Sequence, residues 1–174
     1  MNEKKITELF NKRRDIIKNY CLDYELDARK YIAVIYGELI NNFNKFDRFD
    51  EIRAEIGLDP SIGFAQIKIS TFYWLEENFG YNIGVSSSQN REELIKRITD
   101  DEWNIRYSVF YVKLIEKEYK KKFLETISVS TLGALYGSGI DYEKEITYEI
   151  MNDIGDSAQS FYSSSKMLQE FPEN

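Results

Sequence analysis

Carboxyl groups, tyrosines and lysines must carry any acid–base chemistry in this chain of 174 residues, because it contains no histidine and only one cysteine, Cys21. The absence of histidine excludes Ser-His-Asp and Cys-His nucleophiles and an imidazole-bound zinc. A single cysteine forms neither an internal disulfide nor a cysteine cluster for a metal. No metal or other cofactor is implied, and we expect a carboxyl group to act as the general acid of any catalytic site.

Glu38 is the carboxyl group best placed for such a role. It lies near the end of the apolar run AVIYGELI, flanked by Tyr36, Leu39 and Ile40, so it is not on an evidently solvated surface. An apolar environment disfavours the charged form of a carboxyl group and raises its pKa. A carboxylic acid that is still protonated near neutral pH can act as a general acid. The alternative is a surface glutamate on the shoulder of a helix.

Two further segments carry groups that could bind a polar ligand: SIGFAQIK at 61–68 and ALYGSG at 134–139. Gly63 would let the backbone approach a ligand closely, or is simply a turn glycine. Gln66 can donate and accept hydrogen bonds, which suits an amide or hydroxyl group. Ser61 either contributes to the same site or caps the following helix. Tyr136 is expected to hydrogen-bond Glu38 or a ligand amide, or else to pack in the core.

Some other aromatic and basic residues are weaker candidates for ligand binding. Trp74 and Trp103 could stack on a ring of a ligand, although plain packing is the more common role of tryptophan. A basic cluster near one helix end either favours the helix dipole or contacts an anionic polymer. This cluster consists of Lys117, Lys120, Lys121 and Lys122.

The charge balance restricts the partners. The chain has 23 basic and 30 acidic side chains, a net charge of −7, and this balance argues against broad nucleic-acid binding, which depends on clustered lysine and arginine. The longest apolar runs fall far below the roughly 18 residues of a membrane span. The charged N-terminus has no secretory apolar core, which predicts a protein that is cytoplasmic as synthesised.

The hydrophobic periodicity predicts one all-α domain over residues 1–174, with an N-terminal helix within 1–26 and a helical extension over 141–174. Only Pro60 and Pro172 interrupt the backbone, which favours long helices. No segment has a strand-like alternation, and 80–89 reads as a connecting loop. The predicted helices cover residues 3–20, 28–43, 46–56, 67–79, 91–98, 102–123, 124–136 and 142–167.

Four segments, in their order along the chain, resemble the lysozyme-like superfamily, specifically the soluble lytic transglycosylase type, with goose-type lysozymes as near relatives. AVIYGEL is similar to the motif A-I-I-x-x-E-S, which carries the catalytic glutamate. SIGFAQIKISTFYWL is similar to a Ser-x-x-Gly-Leu-Met-Gln turn followed by a P-x-T-A-x-x-L helix. NIRYSVFYV is similar to N-I-x-x-G-x-x-Y-L, and ALYGSG to A-Y-N-x-G. The matching residues, within about 28–139, are Glu38, Ser61, Gly63, Gln66, Thr71, Leu75, Asn104, Ile105, Tyr111, Tyr136 and Gly139.

The chain departs from the family pattern at several positions. Leu39 follows the glutamate where the transglycosylases have serine, although goose-type enzymes also lack that serine. Gly137 replaces the asparagine of A-Y-N-x-G, and Ser108 stands where the third motif has glycine. The stretch from Glu38 to Gly63 is longer than is usual for the family. These differences affect the expected substrate contacts more than the expected fold.

The resemblance implies a lysozyme-like fold and an enzyme that cleaves the β-1,4 bond between N-acetylmuramic acid and N-acetylglucosamine in peptidoglycan. Glu38 would be the acid/base, and the substrate-binding residues would be Ser61, Gly63, Gln66, Tyr111 and Tyr136. A transglycosylase needs one carboxyl group, whereas a hydrolase with two would take the second from Asp47, Asp50, Glu51 or Asp59. Such an enzyme would act at the cell wall after release or delivery, and a phage origin would fit.

Three alternatives remain open. Leu39 and Gly137 are compatible with a catalytically inactive relative that binds glycan or a protein partner. The acidic net charge would attract a cationic polymer such as chitosan, so a glycosidase for chitosan or chitin is a second possibility. A helical regulatory module whose motifs match by accident is the third, and it predicts no cleft around Glu38.

Overall fold

The computed structural model describes residues 3–42, 57–139 and 152–171, and within these ranges the chain is mostly helical, as the sequence predicts. Two short strands, β1 and β2, lie between the third and fourth helices. The helices are α1 (Glu3–Lys12), α2 (Arg14–Asp23), α3 (Ala28–Asn42), α4 (Ile69–Ile83), α5 (Arg91–Thr99), α6 (Asp101–Phe123), α7 (Val129–Ser138) and α8 (Asp153–Ser164), followed by a 3-10 helix at Lys166–Glu170. None of the helices in these ranges is long and apolar enough to cross a membrane.

The segment that reads as a turn at 61–66 is a small antiparallel hairpin. Strand β1 (Ser61–Ile62) pairs with β2 (Ile67–Lys68), so that Ser61 faces Lys68 and Ile62 faces Ile67. Two residues per strand are too few to produce a period-two pattern, which explains why the sequence predicts no strand here.

The single N-terminal helix that the sequence predicts is broken in two at Arg13. The Arg13 side chain donates to the Leu9 carbonyl at 3.2 Å and forms an ion pair with Asp101 at 2.7 Å. Ile6, Phe10 and Ile17 are buried on the side that the periodicity indicates. At the break the Arg13 N–H donates to the Phe10 carbonyl at 3.0 Å, while the Arg13 side chain takes the Leu9 carbonyl that a continuous helix would use.

Several helix ends differ from their predicted positions because capping residues set them. Helix α4 continues to Ile83 and ends at Gly84, whose φ is +77°, so the connecting loop starts later than residue 80. The Ser128 hydroxyl accepts from the Thr131 N–H and caps α7, which begins at Val129, after the predicted start at Leu124. Asp27 caps α3 at the start that the sequence predicts, because its carboxylate accepts from the Arg29 N–H at 2.8 Å.

Helices α3, α7 and α8 pack closely against one another at the centre of the fold. A Cβ on Gly37 would lie 2.4 Å from the carbonyl oxygen of Ile154 in α8, so glycine at this position lets the two backbones approach. The described part of the predicted C-terminal extension therefore belongs to the packed core. The predicted helix at 46–56 and residues 142–151 of the predicted helix at 142–167 lie outside the described residues.

Candidate active site

Glu38 lies in the last turns of α3 and is 5% exposed. Tyr36 and Ile40, which flank Glu38 in the sequence, line a different cavity. Tyr36 points elsewhere and stacks on Phe161 of α8, with ring centroids 3.9 Å apart and planes 16° from parallel. Successive side chains on a helix point about 100° apart, so the groups that share a site with Glu38 come from other segments.

Those groups line one small cleft with Glu38. The cleft has a volume of about 30 Å³, enough for about one or two water molecules. Four of the five predicted substrate-binding residues are in its lining, and Gly63 is not. The lining residues are Glu38, Ser61, Gln66, Ile67, Lys68, Thr71, Tyr111, Tyr136, Gly137 and Gly139.

Gln66 is held in an uncommon backbone conformation at the turn of the hairpin. Its φ is +54°, in the left-handed region that non-glycine residues seldom adopt. Its backbone N–H donates to the Gly63 carbonyl at 3.2 Å, and its side-chain Nε2 donates to the same oxygen at 3.0 Å. Strain of this kind persists only where the surrounding structure enforces it, and here it directs an amide group toward the cleft of Glu38.

Asn104 of α6 fastens this hairpin to the helical core. It is 1% exposed, and its Oδ1 accepts from the Ala65 N–H at 2.8 Å. Its Nδ2 donates to the carbonyls of Ile62 at 3.1 Å and Ile98 at 3.0 Å. A Cβ on Gly63 would lie 2.1 Å from Nδ2. Asn104 leaves no space for a side chain at position 63, so this contact accounts for the glycine. The predicted role of Gly63 in binding a ligand stays a prediction.

Tyr136 of α7 also supports the hairpin. Its hydroxyl donates to the Ala65 carbonyl at 2.7 Å, and its ring centroid lies 5.5 Å from that of Tyr111. Burial raises the pKa of Tyr136 well above its ordinary value of 10.0, and Tyr31 and the carboxyl of Glu38 act in the same direction. The hydroxyl therefore remains a donor at physiological pH. The hydroxyl donates to the hairpin, whereas the sequence predicted Glu38 or a ligand as its hydrogen-bond partner.

Gly137 brings α8 to the edge of the cleft. A Cβ at this position would lie 2.3 Å from Cδ1 of Ile154 and 3.1 Å from Oε2 of Glu38. The glycine that replaces the family's asparagine thus leaves room for an isoleucine beside the carboxyl group. The contact between Gly137 and Ile154 joins α7 to α8 behind the lining of the cleft, and the sequence gives no local signal for it.

The other predicted residues lie outside the cleft or have structural partners. Trp74 packs edge-on against Phe79 at 5.4 Å, and Trp103 packs against Tyr107 at 6.4 Å. Ser61 is in a strand and does not cap α4; the Asp59 carboxylate does, accepting from the N–H and the hydroxyl of Ser70, each at 2.8 Å. The remaining candidates for a second carboxylate, Asp47, Asp50 and Glu51, lie outside the described residues.

Two polar lining residues were missed as site residues. Lys68 lies at the end of β2 and is exposed, and Thr71 lies in the first turn of α4. The sequence signal for both is their position just after the SIGFAQ turn, since a hairpin that places Gln66 in a cleft brings the following residues to its rim.

The site combines one enclosed carboxyl group with amide and hydroxyl groups. Such a set can transfer a proton and hydrogen-bond a polar neutral ligand. Among the residues that the structure describes, no group of three or more acidic or cysteine side chains is arranged to hold a metal ion.

No family model, curated protein or solved structure matches this chain.

Proposed function

We propose that this protein is a lysozyme-like peptidoglycan glycosidase that cleaves the β-1,4 bond between N-acetylmuramic acid and N-acetylglucosamine. The observation that supports this most is the convergence of Glu38, Ser61, Gln66, Tyr111 and Tyr136 on one cleft. These residues come from α3, the hairpin, α6 and α7. The family motifs also name them, and a chance match of four motifs would not require them to meet.

Glu38 is the proton donor in this proposal. Its carboxyl group protonates the glycosidic oxygen as the bond from that oxygen to the anomeric carbon breaks, which leaves a free 4-hydroxyl on N-acetylglucosamine. The resulting carboxylate then accepts a proton from the nucleophile. Attack by water gives a reducing end, whereas attack by the 6-hydroxyl of the same muramic acid gives a 1,6-anhydro end. Gln66 is a hydrogen-bonding partner for the acetamide or hydroxyl groups.

Lys68 favours an anionic glycan. It is exposed and lines the cleft of Glu38. Peptidoglycan carries carboxylates on its stem peptides, which a nearby ammonium group attracts, whereas chitosan carries ammonium groups that it repels. The charge at the site thus opposes the preference that the net charge of the whole chain suggests, and peptidoglycan is the better candidate.

A binding module without turnover is the second candidate, and the size of the cleft favours it. A volume of about 30 Å³ admits water but not a pyranose ring. A glycosidase would therefore bind the sugar across the mouth of the cleft, with only the glycosidic oxygen or an exocyclic group near Glu38. A protein that only binds glycan needs no access to the buried carboxyl group.

The test is mass spectrometry of purified peptidoglycan after incubation with the wild-type protein, Glu38→Gln or Glu77→Gln. Glu77 is an exposed glutamate of α4 outside the cleft, so its variant is a matched control. We expect muropeptides from the wild type and the control, and a loss of about 100- to 10,000-fold in Glu38→Gln, the range for a missing general acid. Anhydro and reducing ends differ by one water and distinguish the two reactions.

Two results would contradict the proposal. Equal release by wild type and Glu38→Gln would remove the glutamate from the mechanism. Binding to wall sacculi without release of muropeptides would select the non-enzymatic module. Parallel digestion of chitosan tests the substrate, because faster cleavage of chitosan than of peptidoglycan would reverse the argument from Lys68.

A further inference from the structure

A second cavity lies along the C-terminal half of α6, away from the candidate active site. Its volume is about 250 Å³, and its lining consists of Lys113, Glu116, Lys117, Lys120, Thr126 and Ile127. We call it the lysine groove. Three of its six lining residues are lysines, in a chain whose net charge is −7. Such a local excess of positive charge indicates an anionic ligand.

The lysines form one row. Lys113, Lys117 and Lys120 follow one another at spacings of four and three residues, which places them on one face of α6 over about 10 Å. Tyr111, which lines the Glu38 cleft, is two residues from Lys113 and so points about 200° away around the helix. The lysine groove and the cleft therefore lie on opposite faces of α6 and can bind ligands independently.

The only acidic side chain in the lining is already compensated by lysines. Glu116 accepts from Lys30 at 3.0 Å and from Lys113 at 3.2 Å. Partial burial acts against its ionisation, but the hydrogen bonds and charges of the two lysines outweigh that effect and lower the pKa of Glu116. Lys113 also donates to the Glu25 carbonyl at 2.6 Å. Glu116 therefore holds Lys30 and Lys113 in place.

Lys117 and Lys120 have no such partner in the part of the chain that the structure describes. Both are exposed, and neither forms an ion pair with a described residue, whereas Lys121 lies 3.6 Å from Glu118. The helix dipole accounts for lysines in the last turn of α6. It does not account for Lys117, which lies more than one turn before Phe123. The unmatched charge needs another explanation.

We propose that the lysine groove binds phosphate groups of a linear polyol phosphate. A tetrahedral phosphate has enough oxygens to accept from both ammonium groups and from the hydroxyl of Thr126. The groove contains no arginine fork and no aromatic ring. It therefore has no platform on which nucleic-acid bases could stack, and its lysines act as point charges. The spacing of the row suits a repeating anion better than an isolated one.

The experiment is calorimetric titration of the full chain with poly(glycerol phosphate), inorganic phosphate, polyglutamate and oligothymidylate. The groove variant is Lys117→Gln/Lys120→Gln. The matched control is Lys121→Gln/Lys122→Gln, which removes the same charge from the same helix end outside the groove. We expect both phosphate probes to bind and the polymer to bind more tightly. The groove variant should bind the polymer about tenfold or more weakly. The slope of the logarithm of its binding constant against the logarithm of the salt concentration should become shallower by about 1 to 2.

Four outcomes would overturn the proposal: no binding of either phosphate probe, an equal loss in both double variants, or binding of oligothymidylate or polyglutamate as tight as that of the polymer. An equal loss would mean that the helix end acts through diffuse charge. Since Glu38→Gln leaves the groove intact, its binding of the polymer should match that of the wild type, so failure here and failure of the proposed glycosidase are distinguishable.

Discussion

Among the residues that the structure describes, two glutamates are buried, both in helices, and their surroundings differ in kind. Glu38 of α3 is 5% exposed and Glu76 of α4 is 3% exposed. Both follow apolar residues in the sequence, within YGELI and WLEEN. Glu38 borders a cleft whose lining also has the amide of Gln66 and several hydroxyl groups. Glu76 instead accepts hydrogen bonds from the protein groups that enclose it.

The donors around Glu76 account for its burial. Arg97 of α5 donates to Oε1 at 2.6 Å, and the Tyr107 hydroxyl donates to the same oxygen at 2.5 Å. Ser88 donates to Glu76 through its backbone N–H at 2.5 Å and through its hydroxyl at 3.1 Å. These bonds connect α4, α5, α6 and the 84–90 loop, so Glu76 holds the fold together.

The comparison shows that burial alone does not identify a functional carboxyl group. Glu76 accepts hydrogen bonds from an arginine, a tyrosine hydroxyl and a loop N–H, so its carboxylate stabilises the fold and is already occupied by protein donors. A glutamate at the wall of a cavity, opposite a strained glutamine, is placed to meet one. The substitutions below test this distinction between Glu76 and Glu38.

Glu76→Gln should have the largest effect on stability. It removes the buried carboxylate that pairs with the half-buried Arg97 and leaves Glu93, at 3.2 Å, as the remaining described counter-charge, which costs about 3 kcal/mol of the free energy of unfolding. Urea denaturation followed by circular dichroism measures the loss. Glu77→Gln, at the exposed neighbour, should change stability by less than about 0.5 kcal/mol. A loss in Glu76→Gln no greater than that of its neighbour would show that the network is not structural.

Asn104→Leu should lower both the stability of the fold and the affinity for the proposed substrate. It leaves the Ala65 N–H and the carbonyls of Ile62 and Ile98 without their partner, at a cost of about 2 kcal/mol. Because the hairpin carries Gln66, substrate affinity should fall in protein that is still folded. Urea denaturation and KM for peptidoglycan are the measurements. Asn78→Ala, on the exposed side of α4, should change neither, and an unaltered KM in Asn104→Leu would separate the hairpin from the site.

The tyrosines beside the two glutamates predict a loss of stability in alkali. Burial raises the pKa of both Tyr107 and Tyr136 above 10.0, helped by a hydrogen bond to Glu76 and by nearby acidic groups respectively. Above pH 10 the unfolded chain loses these protons while the folded chain retains them. The free energy of unfolding therefore falls by about 1.4 kcal/mol per pH unit for each tyrosine.

Urea denaturation between about pH 8 and about pH 11 measures this dependence. Tyr107→Phe and Tyr136→Phe should each remove about one tyrosine's share of the slope above pH 10. If the two variants lose equal parts of the slope, the regions around Glu76 and Glu38 are equally buried. The two glutamates then differ only in their hydrogen-bond donors. A wild-type stability that does not change over this range would contradict the prediction.

Glu38→Gln should have the smallest effect on stability. Its amide occupies the same space and faces the same cleft, so the free energy of unfolding should stay within about 1 kcal/mol of the wild-type value. Thermal unfolding followed by fluorescence is the measurement. A loss as large as that in Glu76→Gln would make Glu38 a structural residue as well, and the distinction between the two would fail.

The helical elements were largely predictable, because each produces a local signal. The apolar spacing along 102–123 and the capping residue Asp27 correspond to α6 and the start of α3. The hairpin was not predictable from periodicity, because its strands have two residues each. In the candidate site, the motif residues Ser61, Gln66, Tyr111 and Tyr136 meet Glu38 in one cleft, whereas Gly63 serves Asn104 and Lys68 was missed.

The amino-acid sequence by itself determined the helical fold class and restricted acid–base chemistry to carboxyl groups, tyrosines and lysines, because composition and periodicity are local properties. The tertiary structure decided which buried glutamate faces a cleft. Glu76 meets Arg97 from 21 residues away, and Asn104 meets Ile62 from 42 residues away. Contacts between such distant residues set the donors around each carboxyl group, and those donors distinguish a structural glutamate from one that can meet a ligand.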